Sequence, residues 1–586
     1  MFFNIIKFEL QYRLKRPATW IYFGILFLFS FAVLNIDSVS ISGDAGQVRG
    51  NAPVAIAQLM IIMAMMVGML MNSGIMGVPV LRDFEHKTDS LMFTTPISKF
   101  DYLFGRFTGS FLVSILVFSG VFFGTLIGTI SPWVKDADNL LPFQLYTFVQ
   151  PFVFYVIPNL FITGALFFMG GTLTRNIMYV YVFGIGILVV WLISTAIVSD
   201  IDNRTISALI EVSGLQAFSD IVRYWSPTQK NTEFVGWTGL MLLNRLFWIG
   251  IGFAALAITY FSFKFEAVPV SLGDKIRKML GRTRKSPITN VVIEQKPIPT
   301  VSQHFDLATK LRQILALTQV YYREIMFSVP FIAIAAMGLC IFFINAQFAG
   351  RMYDVSVFPT TYIMLELIGG FNLFFIIIIV FYGGQLIWRE RDLNMQQIYD
   401  ALPISNGIGL ISKFLGFLGV HATLLVILMF AGILNQTIHG YHEYEMGLYL
   451  KSLFSDTFST LILYTLLAFF IQVVSNNKFL GFALMVAFFV SMLIANQLGI
   501  EHKLFVFASG GLGTYSAMNS FGHFVAPFSW LTFYWLCLTA ILFGLCVLLA
   551  VRGTDTLAKI RISLMKQRFS RPIATFMIAA FLFFVT

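Results

Sequence analysis

Long apolar runs broken by short polar segments dominate the chain. Twelve runs are long enough to cross a membrane, near 18–36, 54–80, 103–130, 146–173, 177–197, 238–263, 329–348, 361–388, 410–434, 452–474, 479–498 and 529–551, and a thirteenth begins near 572. A spanning helix needs about 20 apolar residues. Ahead of the first run, residues 1–16 place Phe3, Ile6, Leu10 and Leu14 on one side of a helix, beside Asn4, Lys7, Gln11 and Lys15. Residues 307–323 do the same with Leu307, Leu311, Ile314 and Leu315 before the seventh run. Both stretches predict helices lying in the membrane interface. The external loops 198–237 and 499–528 are rich in Phe, Trp, Ser and Gly, and too apolar for solvated loops. They predict short re-entrant or surface helices, because non-helical backbone at membrane depth must be covered by protein.

The pattern occurs twice. Residues 82–98 read RDFEHKTDSLMFTTPIS, and residues 389–405 read RERDLNMQQIYDALPIS. In one register Arg82 falls on Arg389, Asp83 on Glu390, Glu85 on Asp392, Leu91 on Ile398, and Pro96-Ile97-Ser98 on Pro403-Ile404-Ser405. The register continues with Arg106 over Lys413 and Gly109 over Gly416. A charged segment at the same place in two apolar bundles predicts a duplicated membrane domain. The expected fold is an all-α polytopic membrane protein with two pseudo-twofold-related six-helix bundles, 1–263 and 307–551. A cytoplasmic linker, 264–306, carries the basic run KIRKMLGRTRK and then Pro287, Pro297 and Pro299. A basic tail, 552–571, and the start of a thirteenth helix, 572–586, complete the chain.

Composition agrees: 58% of residues are hydrophobic and 12% charged, against about 25% charged in soluble domains. The net charge of +10 raises the question of nucleic acid, and its distribution answers it. With the N-terminus inside, most Lys and Arg residues fall on cytoplasmic segments while acidic residues divide evenly, as topogenic charge does. No nucleic-acid role is needed, and attraction to anionic membrane lipid is a secondary expectation. Cys340, Cys537 and Cys546 all lie in apolar runs, which excludes a disulfide framework or thiolate metal site. The N-terminus predicts no removable signal peptide. No H-E-x-x-H, G-x-S-x-G or C-x-x-C motif occurs, so the chain by itself is not expected to be an enzyme. His439, His442, Glu443 and Glu445 form the nearest approach to a metal cluster and are expected to be a solvated loop.

The stretch EHKTDSLMFTTPISKFDYLFGR (85–106) resembles the ABC type-2 exporter permeases. In that family an acidic residue, a Thr, a Leu, a Thr-Pro-x-Ser turn and a Tyr-x-x-Gly-Lys/Arg step follow the second span. Here these are Glu85, Thr88, Leu91, Thr95-Pro96-Ile97-Ser98 and Tyr102 to Arg106. The second copy keeps the acid, apolar, proline and cation positions but has Met395 and Gly409 where the first has Thr88 and Tyr102. The resemblance implies that the hairpin is a coupling helix contacting a cytoplasmic ATPase through Asp83, Glu85, Thr88, Leu91 and Pro96, and through Glu390, Asp392, Ile398 and Pro403. No G-x-x-x-x-G-K-[ST] loop is present, so no cofactor is expected in this chain. ATP and Mg would be bound by partner subunits, two copies of an ABC ATPase. The implied setting is a bacterial cytoplasmic membrane, with an exported substrate that the sequence does not name. The rival readings are a twelve-helix secondary transporter and a force-transmitting membrane scaffold.

Polar residues at membrane depth are costly and mark candidate sites. Glu366, Asn159 and Asn372 are the expected translocation-path residues. Arg245, Asp456 and His421 lie at similar depth; Arg245 and Asp456 are expected to snorkel outward or to pair. Pro158 predicts a kink in the fourth span. Residues 572–586 are too short to cross, so a thirteenth helix continuing into an external region is expected. Duplicated type-2 permeases of this sort resemble the membrane half of bacterial proteins fused to a zinc aminopeptidase-like domain.

Overall fold

The computed structural model describes residues 1–586 except 36–47, 67, 132–139, 198–203, 266–305, 349–357, 498–501, 554–557 and 586. Most of the predicted linker 264–306, including its basic run, therefore lies outside the described residues. Those described are all-α, with an isolated bridge at Ser516–Ser520 and no strand. Ten helices among them are long and apolar enough to cross a membrane, and they coincide with ten of the expected spans. The protein is a multi-pass membrane protein. The other two expected spans are also helical: 54–80 holds two helices, Pro53–Met66 and Gly68–Met76, and 479–498 holds Lys478–Gln497.

Two compact units, Met1–Glu294 and Gln295–Thr586, make up the chain. Each runs through the same elements in the same order. A leading helix (Phe2–Leu14; Leu307–Met326) precedes the first span (Pro17–Asn35; Val329–Phe348). The second span is built from two helices in each unit, Thr361–Gly369 and Asn372–Asp392 being the second pair. A six-residue hairpin helix follows (Asp89–Thr94; Gln396–Ala401), then a third span of 32 or 33 residues (Lys99–Ile130; Asn406–Ile438).

Local chemistry explains why the copies coincide. The serine of each Pro-Ile-Ser turn caps the third span: Ser98 accepts from the Asp101 N–H at 3.0 Å and Ser405 from the Ile408 N–H at 3.4 Å. Such a cap satisfies one orphan donor of the first turn. Lys87 and Asn394, at matched positions, are both left-handed (φ 55° and 56°), as are Arg175 and Asn476 closing the fourth spans. A lysine or arginine in that region is strained by about 1–2 kcal/mol, so a common backbone path outweighs local preference. A π-helical segment enters the fourth span in both units, Phe152–Val156 and Lys451–Thr457. The first is flanked by Pro151 and Pro158, but the second has no proline. The π-helical entry therefore belongs to the repeated unit rather than to the prolines.

The segments between the fifth and sixth spans differ. Residues 204–232 carry three short helices, Arg204–Ile210, Leu215–Val222 and Pro227–Thr232, as expected. Residues 502–521 form turns instead, because Ala508, Gly510, Gly513 and Ser520 all have positive φ, which interrupts a right-handed helix. At the other end of the second unit, Arg571–Val585 turns by 98° from the preceding helix. It packs on the last span, Val525–Leu549, with Phe584 stacked on Tyr534 at 4.5 Å.

Each leading helix crosses its third span at a matched glycine. A Cβ on Gly109 would stand 2.7 Å from the Glu9 Cβ, and one on Gly416 would stand 3.0 Å from both the Tyr321 Cβ and the Thr318 carbonyl oxygen. Gly250 has open space around it. Gly109→Ala is expected to cost about 1–3 kcal/mol through overpacking, whereas Gly250→Ala is neutral. Thermal unfolding of the detergent-solubilised protein checks this, and equal melting temperatures for the two variants would show that the crossing tolerates a wider spacing.

Candidate functional site

The second span of the first unit delivers Arg82 and Asp83 to the base of the hairpin on the short helix Leu81–Glu85. Both are buried, although the repeat motif is rich in charge. Asp83 accepts two bonds from Arg106 of the third span, at 2.9 and 2.8 Å, and a third from the Tyr102 hydroxyl at 2.8 Å. Arg82 turns the other way and meets Glu9 of the leading helix at 2.6 Å. Arg106 also pairs with Glu9, and Arg13 lies 3.5 Å from it. The Arg82 guanidinium rests over the Tyr12 ring at 4.1 Å. One carboxylate from the leading helix and one from the hairpin base thus share three arginines.

Burial by itself would raise the Glu9 carboxyl, but Arg106, Arg82 and Arg13 outweigh it and hold Glu9 below its ordinary value. Asp83 moves the opposite way: burial raises it despite Arg106, the Tyr102 hydrogen bond and Arg82. Sequence reasoning does not single out Glu9. It does not align with its counterpart in the second unit, so the repeat register carries no sign of it.

That counterpart is Glu324, which pairs with Arg389, the match of Arg82. Glu390, the match of Asp83, binds Lys413 at 2.6 Å, and Lys413 is the match of Arg106. The supporting hydroxyl comes from a new direction. Gly409 stands where Tyr102 would be, and Tyr321 of the leading helix donates to Glu390 at 3.1 Å instead. Tyr399 of the hairpin helix rises into the vacated space, where a Cβ on Gly409 would meet its hydroxyl at 2.9 Å.

Below this anchor each hairpin helix keeps an exposed face. Leu91 is 70% and Ile398 66% exposed, and Glu85, Pro96, Asp392 and Pro403 are exposed too. Asp392 meets Lys478 at 2.5 Å. Thr88 closes the turn before the helix: its N–H and hydroxyl both donate to the Asp83 carbonyl, at 2.8 and 3.2 Å. Met395 makes the same backbone bond to Glu390 at 2.9 Å, so losing the hydroxyl leaves the turn intact. The expected coupling residues therefore fall into separate groups. Asp83 and Glu390 are anchors engaged within their own units, Thr88 closes the turn and Asp392 pairs with Lys478, while Glu85, Leu91, Pro96, Ile398 and Pro403 lie exposed on the hairpin.

The polar residues of the spans form a separate cluster. Arg245 is fully buried (0% exposed) and does not snorkel. It donates to Asn159 Oδ1 at 2.6 Å, to Asn244 Oδ1 at 3.0 Å and to the Val212 carbonyl at 2.8 Å. Asn159 in turn donates to the Ser213 carbonyl at 3.0 Å. The reason is the segment between the fifth and sixth spans, whose Val212 and Ser213 carbonyls, just before left-handed Gly214 (φ 80°), accept from Arg245 and Asn159. Thr163 continues this chain to Asn72 and Ser114, with bonds of 2.7, 2.8 and 2.8 Å. In the second unit His421 occupies the place of Ser114 and packs against the Phe417 ring at 4.4 Å, while Ile379 replaces Asn72. Asp456 accepts from the Leu512 N–H at 3.4 Å. Asn159 belongs to the buried cluster of the first unit, whereas Glu366 and Asn372 of the second unit are exposed on the two helices of its second span. His439 binds the Asn435 carbonyl and His442 the Tyr444 hydroxyl, at 2.8 and 3.2 Å. Among the described residues no group of three or more His, Cys, Asp or Glu side chains could hold a metal ion.

No protein-family model and no curated protein matches the chain. The geometry makes a direct prediction about the anchor. Glu9→Gln leaves buried arginines unpaired and is expected to cost about 3–5 kcal/mol. Glu324→Gln, in a partly exposed pair, should cost about 0–1 kcal/mol. Because its folded pKa is depressed, the Glu9 contribution is complete above the ordinary value of 4.5 and is lost as pH falls below it. Unfolding of both variants as a function of pH reads this out; equal losses at pH 7 would refute the unequal anchors.

Proposed function

We propose that the chain is the transmembrane permease of an ATP-driven exporter, driven by two copies of a cytoplasmic ABC ATPase that bind ATP and Mg. The observation that carries this reading is the hairpin: built twice, fixed at its base by buried or half-buried ion pairs, and bare at its tip. A tip bearing exposed Leu91 or Ile398 beside Glu85 or Asp392 suits a groove on a soluble partner. A base held rigidly to the leading helix and the third span passes motion of that partner into the spans instead of absorbing it. The chain itself has no phosphate-binding loop, so the energy source lies in the partner.

Orientation follows from the same features. The hairpins face the cytoplasm of a bacterial inner membrane, and the leading helices lie along its inner surface. Leu307, Leu311 and Leu315 are exposed on the protein, which suits contact with lipid there. The transported substrate is a separate question, since the buried polar cluster around Arg245 is internally satisfied.

Affinity purification of the tagged full chain from its native membrane is expected to recover an ABC ATPase. The double variant Leu91→Asp/Ile398→Asp should lose that partner while reaching the membrane in normal amount. Glu85→Lys/Asp392→Lys should do the same. Undiminished recovery with both double variants would remove the hairpins as the docking contact. Absence of any ATPase from the wild-type chain, with flux driven by an ion gradient, would replace the reading with a secondary transporter.

A further inference from the structure

The sixth span of each unit ends beside its hairpin helix. In the second unit the span stops at Leu549, and Arg552 then reaches the hairpin helix Gln396–Ala401. It donates from Nε to the Asp400 carbonyl at 2.8 Å, from Nη1 to the Ile404 carbonyl at 2.9 Å, and from Nη2 to the Leu402 carbonyl. The next residue completes the contact: the Gly553 N–H donates to Asp400 Oδ2 at 2.7 Å, and Gln396 donates to the Gly553 carbonyl. Gly553 has φ 88°, a conformation that disfavours any residue with a side chain. The carbonyls at a helix C-terminus have no partner within the helix and carry partial negative charge, which a guanidinium satisfies well.

The first unit makes the corresponding contact by other means. Its sixth span ends at Ser262, so Phe265 holds the place of Arg552. Phe265 meets Phe93 of the hairpin helix at 4.9 Å and Tyr102 at 5.8 Å, and Phe263 stacks on Tyr102 at 5.9 Å. Neither hairpin helix has a buried residue of its own. The short stretch after the sixth span is therefore a principal non-covalent hold on each.

We propose that Arg552 is a positioning residue that fixes the second hairpin helix to the end of the sixth span, so that the two move as one piece. This deepens the docking reading and rests on it for its functional meaning: a partner pressing on the hairpin would move the sixth span as well as the second and third. The first unit does the same with an aromatic contact.

The test uses the full chain in lipid nanodiscs, with Cys340 replaced by Ala and a spin label at Ile398→Cys or, separately, at Leu91→Cys. Arg552→Gln is expected to shift the Ile398 label toward a mobile spectrum and leave the Leu91 label unchanged. Arg552→Lys, which keeps the charge but not the three-pronged geometry, should give an intermediate shift. If Arg552→Gln does not reach the membrane, Gly553→Ala probes the same contact and should mobilise the Ile398 label. An unchanged Ile398 spectrum, or equal loosening at both labels, overturns the proposal. ATPase recovery is scored separately, on unlabelled chains that keep Leu91 and Ile398, with and without Arg552→Gln. Loss of the clamp with no ATPase recovered from the unmutated chain would sink the docking reading alone, whereas an immobile label with ATPase recovered would sink the clamp alone.

Discussion

Charge at the end of a membrane span must be satisfied before the hairpin can exist. Arg82 and Asp83 come directly after an apolar span, where the effective dielectric is falling and an unpaired ion is costly. The structure meets this by drawing Glu9 from the leading helix and Arg106 from the third span into one network. Three elements are thereby tied at a single point, and the hairpin helix is held out from it. The glycine crossing at Gly109 is a consequence, since Glu9 reaches the arginines only if the leading helix lies close on the third span.

The two units keep this arrangement while exchanging its parts. A tyrosine on the third span in one becomes a tyrosine on the leading helix in the other, and Gly409 marks the exchange. The same happens between the second and fourth spans. Gly171 packs so closely on Gly77 that a Cβ would stand 2.0 Å from its carbonyl oxygen. In the second unit Gln472 occupies that seam instead, accepting from the Trp388 indole at 3.0 Å. Substitution has been compensated locally, so the backbone path, with its left-handed residues and its π-helical entry to the fourth span, is unchanged. The second anchor is nevertheless lighter: its two ion pairs are partly exposed, with a lysine in place of the central arginine.

Individual residues show how far the sequence could be read. The register of Arg82 on Arg389, Asp83 on Glu390 and Arg106 on Lys413 was legible because covalent spacing preserves it, and the structure joins those residues in matched pairs. Leu91, Ile398, Glu85 and Asp392 are exposed on the hairpins, and Asp392 is paired with Lys478. Glu9 was illegible because its partners are 73 and 97 positions away and its counterpart is not in register. Arg245 was expected to snorkel or pair and is instead buried, because hydropathy reports its depth but not the Val212 carbonyl of the folded segment before the sixth span. Within 499–528 the helical reading holds only from Gly522 onward among the described residues, and 502–521 form turns because apolar composition does not reveal positive φ.

Hydrophobic periodicity and charge distribution alone determined that this is an all-α membrane protein of repeated construction, since each span satisfies its own backbone and needs no other part of the chain to be helical. The hydropathy pattern began the third spans at 103 and 410, but the serines of the two Pro-Ile-Ser turns cap them four residues earlier, at Lys99 and Asn406. Only tertiary structure decided which charges are exposed and which are anchors, because pairing depends on helix crossings that bring distant residues within bonding distance. It also decided what holds each hairpin helix. Nothing in a local window distinguishes Phe265 from any other aromatic residue or Arg552 from any other topogenic arginine until the end of the sixth span lies against the hairpin.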